Sequence, residues 1–509
     1  MADAKREIER KYESDESGLP DLTGVAGVAA VLDKGLVELD ATYYDTADER
    51  LTAASLTLRR RTGGSDAGWH LKFPVAPGVR DEIQAPLSDT VPEEITALVR
   101  SRIRDRDLVP VVRLRSARDV RHLVDAEGTL LAEASVDAVT AERLTGEGRT
   151  AQWTEIEVEL ADGGDPALLD QLEKRLRRAG VRPSAAPSKL ARALAQTAPG
   201  HRGDRKDRKD RKKKNGPAAP VTAGDHVLAY LRAQRDVLVE LDPAVRRGLP
   251  DSVHRMRVAT RRARSTLRTF RALLDRTVTD PLATELKWLA GELGVDRDQE
   301  VLADRLSTAL DALPPALVGG PVRERLTAWA QARHGAAHAR LTGVLDSRRH
   351  LALLDGLDTL LTDPPLRPAA GKKPEKALAK AVRKDLARLT DALDHALALP
   401  PGEDRDLALH QARKKAKRTR YAAEATTEAL GAPSRSLTSA MKSLTTLLGD
   451  HQDSVMARHA LRELAAVAHA AGEGAFTYGL LYGREEARAA ALEAELPARW
   501  AKIRSGATG

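Results

Sequence analysis

Acidic side chains occupy alternate positions in two short segments of the N-terminal part of the chain. The segment REIERKYE carries Glu7 and Glu9, and the segment WTEIEVEL carries Glu155, Glu157 and Glu159. Because successive side chains of a β-strand point to opposite faces, each segment predicts a strand with one charged and one apolar face. Carboxylate oxygens are ligands for hard divalent cations such as Mg²⁺. The charged faces could therefore bind a metal ion, or they could be the solvent-facing side of an ordinary sheet.

Basic side chains follow a similar pattern. Arg59 and Arg61 alternate in LTLRRRT, Lys72 lies in HLKFP, and Arg118 lies in RSARDVRH. Carboxylates and cations on one inner wall would be costly to bury without a ligand, because buried charge needs partners. A divalent cation bound to triphosphate would satisfy both sets, since Arg and Lys bind phosphoryl oxygens. We interpret these charged strands as a candidate metal-triphosphate site.

The elements that would position these residues are short and alternate polar with apolar side chains. Such runs recur from Leu56 to Thr62, from His70 to Val75 and from Leu130 to Val139, separated by Gly, Pro or Asp. Alternating runs at this spacing predict an antiparallel sheet or barrel. In a closed barrel, inward and outward side chains alternate along every strand, so the charged faces would meet in the interior.

The chain changes character after a basic low-complexity run. Residues 198–222 contain repeated RKD units closed by Gly and Pro, which predicts a flexible linker. Nine Lys or Arg stand against three Asp between His201 and Lys214, so this run supplies most of the formal net charge of +8. Beyond it, Ala- and Leu-rich stretches broken by Pro pairs predict an all-helical region. We assign 1–197 to the barrel and 223–505 to the helical domain.

The helical domain contains an internal repeat. The pattern HRMRVATRRARSTLRTF from His254 recurs 156 residues later as HQARKKAKRTRYAAE from His410. Each copy is followed by a second element, LGVDRD ending at Asp298 and LGDHQD ending at Asp453. Two matches in register indicate a duplication.

Each copy aligns its basic residues on one helix face, because offsets of three and four positions keep side chains on the same side. Like charges at this spacing repel by roughly 0.2–0.5 kcal/mol per pair, so a multivalent anion or facing acids should neutralise them. Two facing copies would line a basic groove. The alternatives are a solvated basic face and ion pairs with Asp298 and Asp453. The first stripe comprises His254, Arg257, Arg261, Arg264 and Arg268, and the second comprises His410, Arg413, Lys417 and Arg420.

Six motifs in order resemble the CYTH domain of the triphosphate tunnel metalloenzymes. They are ExExK at Glu7 to Lys11, YYDT at Tyr43 to Thr46, LRRR at Leu58 to Arg61, the WHLK lysine, RDE at Arg80 to Glu82 and EIEVE at Glu155 to Glu159. The resemblance covers about residues 4–195. It implies an eight-stranded antiparallel β tunnel barrel with helices, of the α+β class, which binds triphosphate together with Mg²⁺ or Mn²⁺.

The resemblance also implies roles for individual residues of this chain. The implied metal ligands are Glu7, Glu9, Asp137, Glu155, Glu157 and Glu159. The implied triphosphate-binding residues are Lys11, Arg59, Arg61, Lys72, Arg118 and Lys189. Among these, the residues expected to matter most for catalysis are Glu7, Glu9, Lys11 and Glu157.

The repeated helical segments VHRMRVATRRAR, LKWLAGELGVDRD, LHQARKKAKRTRYAAE and LLGDHQD resemble the CHAD domain, the conserved histidine α-helical domain. This resemblance implies two duplicated four-helix halves, at about 223–365 and 372–505, with a basic surface that binds inorganic polyphosphate. The implied polyphosphate-binding residues are His254, Arg257, Arg261, Arg262, Arg264, His410, Arg413, Lys414, Lys417, Arg418 and Arg420.

We therefore expect a divalent-metal-dependent triphosphatase, with inorganic triphosphate as the preferred substrate. Thiamine triphosphate, nucleoside triphosphates and long polyphosphate stay open as substrates, and a non-catalytic polyphosphate-binding adaptor is the alternative. The sequence contains no GxxxxGK[ST] loop, so a P-loop nucleotidase is unsupported. Aromatic residues make up only 3% of the chain, too few for the usual base-stacking surfaces, so specific nucleic-acid binding is not expected. Nonspecific binding of duplex phosphates by the basic stripes and linker stays open as a third interpretation.

Composition constrains the setting of the protein. The chain has no cysteine, which excludes disulfides and thiolate metal sites. No stretch has the roughly 20 uninterrupted apolar residues that a membrane span needs. The first ten residues lack the apolar centre of a secretory signal. We expect a cytoplasmic protein without a membrane partner, associated with polyphosphate granules if it binds that polymer.

Overall fold

The computed structural model describes residues 3–14, 18–146, 148–198 and 219–508; the side chains of 3, 295–298, 333–338 and 507–508 are outside this description. The chain divides into two units, Met1–Gly216 and Pro217–Gly509. The predicted linker therefore lies largely outside the described residues.

The first unit is built from nine antiparallel strands. They are β1 (Asp3–Glu13), β2 (Ala30–Asp45), β3 (Thr57–Thr62), β4 (Gly68–Ala76), β5 (Val79–Ala85), β6 (Val109–Val124), β7 (Leu130–Arg143), β8 (Thr150–Leu160) and β9 (Arg182–Pro183). Their order is β5-β4-β3-β2-β6-β7-β8-β1, and β1 also pairs with β5, so these eight strands close into a barrel. The short β9 adds to the end of β1. The predicted eight-stranded barrel is confirmed.

Helices cover the outer faces of the barrel strands. They are α1 (Arg50–Ala53), α2 (Glu93–Ile103) and α3 (Ala167–Arg178). Ile156 and Val158, which alternate with the carboxylates of β8, are fully buried against leucines of α3 such as Leu172. On another side, Leu58 and Ile83 pack against Ile95 of α2. Because the apolar faces of these strands turn outward under helices, the charged faces are left to line the interior.

Helix α4 (Lys189–Gln196) closes one end of the barrel. Its Leu190 and Ala193 pack against Val139 and Trp153. By strand alternation, these two residues share the inward faces of β7 and β8 with the acidic positions two residues away. The interior is therefore apolar at this end and charged beyond it.

The second unit consists of helices. They are α5 (Ala223–Arg246), α6 (Ser252–Thr269), α7 (Arg276–Asp311), α8 (Val322–Leu345), α9 (Arg348–Thr362), α10 (Pro374–Ala398), α11 (Glu403–Ala425), α12 (Thr427–Leu430), α13 (Ala432–Ala470) and α14 (Phe476–Thr508). Thr222 and Asp225 form a capping box at the start of α5, a pattern that satisfies two backbone N–H groups at a helix N-terminus.

The long helices form two sets of four. The first set is α5, α6, α7 and α8, and the second is α10, α11, α13 and α14. Helix α9 adds to the first set, and the single-turn α12 adds to the second. Leu238, Leu267 and Leu286 lie in the core of the first set, and Leu409 and Leu444 lie in the core of the second. The duplicated all-α architecture is confirmed. The far ends of α7 and α8 pack with α13 and α14 in a shared core, so the two halves are joined. Among the described helices, none is long and apolar enough to cross a membrane.

Candidate functional site

The barrel interior holds a cavity of about 540 Å³ whose lining is strongly charged. Nine Lys or Arg and seven Asp or Glu contribute to its wall. All six predicted triphosphate-binding cations are among them, as are four of the six predicted metal ligands, Glu7, Glu9, Glu157 and Glu159. The strands thus bring together residues that are far apart in the sequence, because β1 closes the barrel between β5 and β8.

Lys11 bridges two carboxylates on neighbouring strands. Its Nζ lies 3.0 Å from Glu9 Oε2 and also forms an ion pair with Glu157, the residue opposite it on β8. Burial works against ionisation of both carboxylates, but the charge of Lys11 prevails and lowers the pKa of each. Both carboxylates are therefore held as anions on the cavity wall.

Lys189, the first residue of α4, lies among three carboxylates. Its Nζ is 2.8 Å from Asp137, 2.8 Å from Glu155 and 2.5 Å from Glu157. Arg118 donates to the same group, through Nε to Asp137 at 2.7 Å and through Nη2 to Glu157 at 2.7 Å. Burial opposes the charge of Lys189, but these carboxylates raise its pKa. Asp137 and Glu155 are almost fully buried behind Lys189.

A second charged group surrounds Lys72 on the β1–β5–β4 side. Lys72 forms an ion pair with Glu7 and lies 3.4 Å from Glu82. Glu82 is also hydrogen bonded to His70, whose Nε2 lies 2.9 Å from the carbonyl oxygen of Asp66. Burial and a hydrogen bond with Glu82 raise the pKa of Glu7 to about 8, against the opposing charge of Lys72. This side of the cavity therefore has more carboxylate than its cations stabilise.

The two predicted arginines of β3 lie deeper in the wall. Arg61 forms an ion pair with Asp66, and burial together with Arg59 and Arg118 lowers the pKa of Arg61 to about 9. Arg59 lies beside Tyr43, which also lines the cavity. Neighbouring guanidinium groups that repel one another are suited to a shared anion.

In the helical unit, α6 and α11 pack against each other and bring the two stripes together. Burial, together with Arg413, Arg261, Arg257 and Arg420, lowers the pKa of Lys417 to about 7. This influence of arginines from both helices indicates that the stripes face each other, as predicted.

Glycines of the second repeated element make room for stripe arginines. The guanidinium of Arg257 lies against Gly294, where an added Cβ would be 2.8 Å from Nη2. The guanidinium of Arg413 lies near Gly449 in the same way, at 3.6 Å. The repeated LG dipeptide thus has a packing reason, because each glycine lies under the equivalent arginine of its own half.

Acidic side chains neutralise Arg262, Arg418 and Arg420 of the predicted polyphosphate site. Arg262 donates to Glu424 at 2.8 Å, and Arg420 lies 3.3 Å from the same carboxylate. Arg418 donates to the buried Asp385 at 2.8 Å. The alternative of internal ion pairs therefore applies to these three residues.

The predicted partners Asp453 and Asp298 differ in what the structure describes. Asp453 lies within electrostatic range of Arg413 and Lys417, and burial raises its pKa. The side chain of Asp298 is outside the described residues. The two predicted histidines differ in their surroundings. His254 is exposed. His410 is partly buried, and burial together with the neighbouring Lys414 lowers its pKa.

Comparison with known proteins gives the same division of the chain. The model of the CYTH domain matches residues 5–193, and the model of the CHAD domain matches residues 229–462. The chain belongs to the family of proteins that join a CYTH domain to a CHAD domain. The barrel is therefore that of the triphosphate tunnel enzyme family.

Two uncharacterized proteins of Mycobacterium tuberculosis strains are each 40% identical to the chain over 514 residues, which span 98% of this chain and 96% of theirs. Among solved structures, PptA from Streptomyces chartreusis is 26% identical with a TM-score of 0.48, covering 55% of this chain and 99% of that one. The CHAD domain from the plant Ricinus communis is 24% identical with a TM-score of 0.41, covering 56% of this chain and 93% of that one.

The CYTH barrel offers a donor set that fits a divalent cation. The carboxylates of Asp137, Glu155 and Glu157 place oxygens within 4.8 Å of one another. The ammonium of Lys189 contacts all three, so a cationic group already occupies the centre of this oxygen cluster. Oxygen donors of this kind suit Mg²⁺ or Mn²⁺. The metal-binding role of these residues and of Glu7, Glu9 and Glu159 stays a prediction.

Several residues of the CYTH site were not predicted from the sequence. Lys5 lies 2.9 Å from Glu159, and Arg80 lies 3.8 Å from Glu9. Glu82 joins Lys72 and Glu7, although it does not itself line the cavity. Lys5 shares the parity of Glu7 on β1, so alternation alone could have found it. Arg80 and Glu82 belong to the RDE motif, but the sequence assigned them no role.

Proposed function

We propose that the CYTH barrel hydrolyses inorganic triphosphate with the aid of a divalent cation, and that the CHAD domain binds inorganic polyphosphate. The observation that carries the first part is the meeting of nine cations and seven carboxylates on one cavity of about 540 Å³. A purely structural barrel would gain little from so many interior charges, because burying them is costly. A phosphate chain with its counter-cation needs both kinds of group.

In the proposed reaction, water attacks the terminal phosphorus of triphosphate, and the phosphoanhydride bond breaks to release phosphate and diphosphate. Arg59, Arg61 and Arg118 would bind the oxygens of the transferred group and stabilise the charge that spreads over them. Lys11 and Lys72 would exchange part of their contact with carboxylates for contact with phosphate. No residue forms a covalent intermediate in this scheme.

The carboxylates would hold the cation and orient the water. Glu7, Glu9, Glu157 and Glu159 on the cavity wall, with Asp137 and Glu155 buried behind Lys189, are the residues that would hold Mg²⁺ or Mn²⁺. When bound, such an ion supplies charge neutralisation at phosphate oxygens. The apolar end closed by α4 leaves the charged part of the interior as the only region of the described barrel with this chemistry.

The proposal for inorganic substrates depends on the wall of the cavity and on the attached CHAD domain. Among the described residues that line the cavity, Tyr43 is the one Phe, Tyr or Trp, so a stacked nucleobase finds little support there. Burial, together with the positive charge of the facing stripes, lowers the pKa of Lys417 in the CHAD domain to about 7. A linear inorganic anion complements such a surface.

The test is phosphate release from inorganic triphosphate by the purified full chain with Mg²⁺ or Mn²⁺, compared with thiamine triphosphate and ATP. Activity that prefers inorganic triphosphate, disappears with EDTA and is lost in Glu7→Gln/Glu9→Gln supports the proposal. If the folded chain releases no phosphate from any of the three but binds polyphosphate tightly, it is a polyphosphate-binding adaptor and the catalytic proposal is wrong.

A further inference from the structure

A second surface rich in Lys and Arg lies next to the facing stripes, between α6, α7, α10 and α11 of the CHAD domain, and is called the basic groove from here on. It has a volume of about 840 Å³ and is lined by nine Lys or Arg but only two Asp. Five of these cations lie outside both the stripes and the predicted polyphosphate site. They are Arg271, Arg276, Lys287, Arg388 and Lys415. The positive surface thus extends beyond the repeated motif.

The two acids of the basic groove neutralise few of its cations. Asp385 is buried and accepts from Arg418 at 2.8 Å, from Arg388 at 3.1 Å and from Thr269, which makes it a brace between α6, α10 and α11. Asp280 pairs with Arg276 on the same helix.

Six groove cations have no acidic partner among the described side chains. They are Arg264, Arg268, Arg271, Lys287, Lys414 and Lys415. Burial, with Arg268, Arg261 and Arg418, lowers the pKa of Arg264. This crowding of like charge indicates a surface that a polyanion would stabilise.

The equivalent surface on the other side of the helix pair is neutralised. The repeat that relates His254 to His410 also relates Arg268 to Glu424, so the charge is reversed at this position. Glu424 accepts from Arg262 at 2.8 Å and from the hydroxyl of Tyr230 at 3.4 Å, and it lies 3.3 Å from Arg420. The ring of Tyr421 lies under both arginines, at 5.8 and 5.0 Å. The duplicated halves are therefore unequal.

We infer that the polyphosphate site of the CHAD domain is one-sided: the phosphate chain runs from the facing stripes into the basic groove, and Glu424 ends the site on the opposite side. The inference rests on the proposed binding of polyphosphate and specifies its path. A linear inorganic chain fits because the groove offers guanidinium and ammonium groups along its length, with no aromatic residue in its lining for a base.

The first test is the affinity of the full chain for inorganic polyphosphate, measured by isothermal titration at several salt concentrations. Lys287→Ala/Lys415→Ala should weaken binding about tenfold and reduce the slope of log affinity against log salt by about two, one per lost phosphate contact. The matched control is Lys380→Ala/Lys384→Ala, which removes two exposed lysines of α10 outside the groove. Equal effects of the two double variants would overturn the inference.

The second test substitutes Glu424, the acidic residue proposed to end the polyphosphate site. Glu424→Gln keeps the size of the side chain but removes the charge that holds Arg262 and Arg420, so affinity for long polyphosphate should rise by a few fold. Glu428→Gln, at an exposed acid on the neighbouring α12, should have little effect. Thermal unfolding checks that each variant is folded.

Three outcomes are distinguishable. Weaker binding in the groove variant with stronger binding in Glu424→Gln supports the one-sided path. Normal binding by the unmodified chain, with no difference between groove and control variants, rejects the path and keeps the polyphosphate proposal. An unmodified chain that does not bind polyphosphate rejects both.

Discussion

The barrel interior and the helical stripes differ in how the charges of their Lys and Arg side chains are balanced. In the CYTH barrel, Lys11, Lys72, Arg118 and Lys189 each contact at least one carboxylate. In the CHAD domain, the strongest influences on Lys417 besides burial are four arginines. The barrel therefore balances its charge internally, whereas six cations of the basic groove have no acidic partner among the described side chains.

Under the proposed function, this difference predicts two modes of phosphate binding. A triphosphate entering the barrel must exchange carboxylate contacts for phosphate contacts, which favours a ligand of defined length that arrives with its own cation. A polyphosphate on the CHAD surface releases charge repulsion and counterions, which favours long chains with little demand on length. Four predictions test this contrast.

The largest effect is expected from Glu157→Gln. Glu157 contacts Lys11, Arg118 and Lys189, so its loss leaves three cations with one fewer anion and removes a predicted metal ligand. We expect kcat/KM for triphosphate to fall on the order of 100-fold or more. Steady-state phosphate release measures it. Asp89→Asn, at an exposed side chain outside the cavity lining, is the control and should leave the rate nearly unchanged; polyphosphate affinity should not change in either variant.

Salt should separate the two domains next. Polyphosphate affinity should fall more than about tenfold between 50 and 200 mM salt, because exposed contacts release counterions. The KM for triphosphate should rise by less than about threefold over the same range, since charges inside the barrel are screened less. Titration and kinetics on the same preparation compare the two. Equal salt dependence would contradict the proposed difference in charge balance.

The third prediction concerns pH. Lys417 faces Arg257 and Arg261 of α6, Arg413 and Arg420 of α11, and the carboxylate of Asp453 on α13. Its pKa of about 7 means that the unliganded protein loses this charge as pH rises through neutrality. A bound polyanion would favour the protonated form, so binding takes up a proton and affinity should fall about tenfold from pH 6 to pH 9.

Two substitutions check that this dependence comes from Lys417. Lys417→Arg keeps the charge over the whole range and should remove the pH dependence. Lys414→Arg, at an exposed lysine of the same helix, should retain it. An unchanged profile in Lys417→Arg would assign the effect to another group.

The smallest effect is expected at the two glycines of the repeat. Gly449→Ala meets only ordinary contacts with Arg413 at 3.6 Å, so the gain in helix propensity should stabilise the fold by up to about 1 kcal/mol. Gly294→Ala would place Cβ 2.8 Å from the guanidinium of Arg257, which must move. This variant should gain less stability and bind polyphosphate a few fold more weakly. Thermal unfolding and titration compare the pair, and identical behaviour would show that the arginine position does not matter.

Strand alternation and helical spacing were sufficient to predict both domain types. The alternation around Glu7 and Glu157 separated a charged from an apolar face, and the recurrence of His254 as His410 revealed the duplication. The order of motifs then identified the candidate residues, all six triphosphate cations among those that line the cavity. These patterns are local, so they can be read before the chain is folded.

The sequence alone therefore determined which residues carry charge on a common face, but only the tertiary structure decided their partners. Lys189 reaches Asp137 and Glu155 because α4 closes the barrel, and Glu82 joins Glu7 because β1 pairs with β5. Glu424 takes Arg262 while the equivalent Arg268 lines a groove, because α6 and α11 pack together. Barrel closure and helix packing join residues distant in sequence, so ion pairs across them cannot be derived from local patterns.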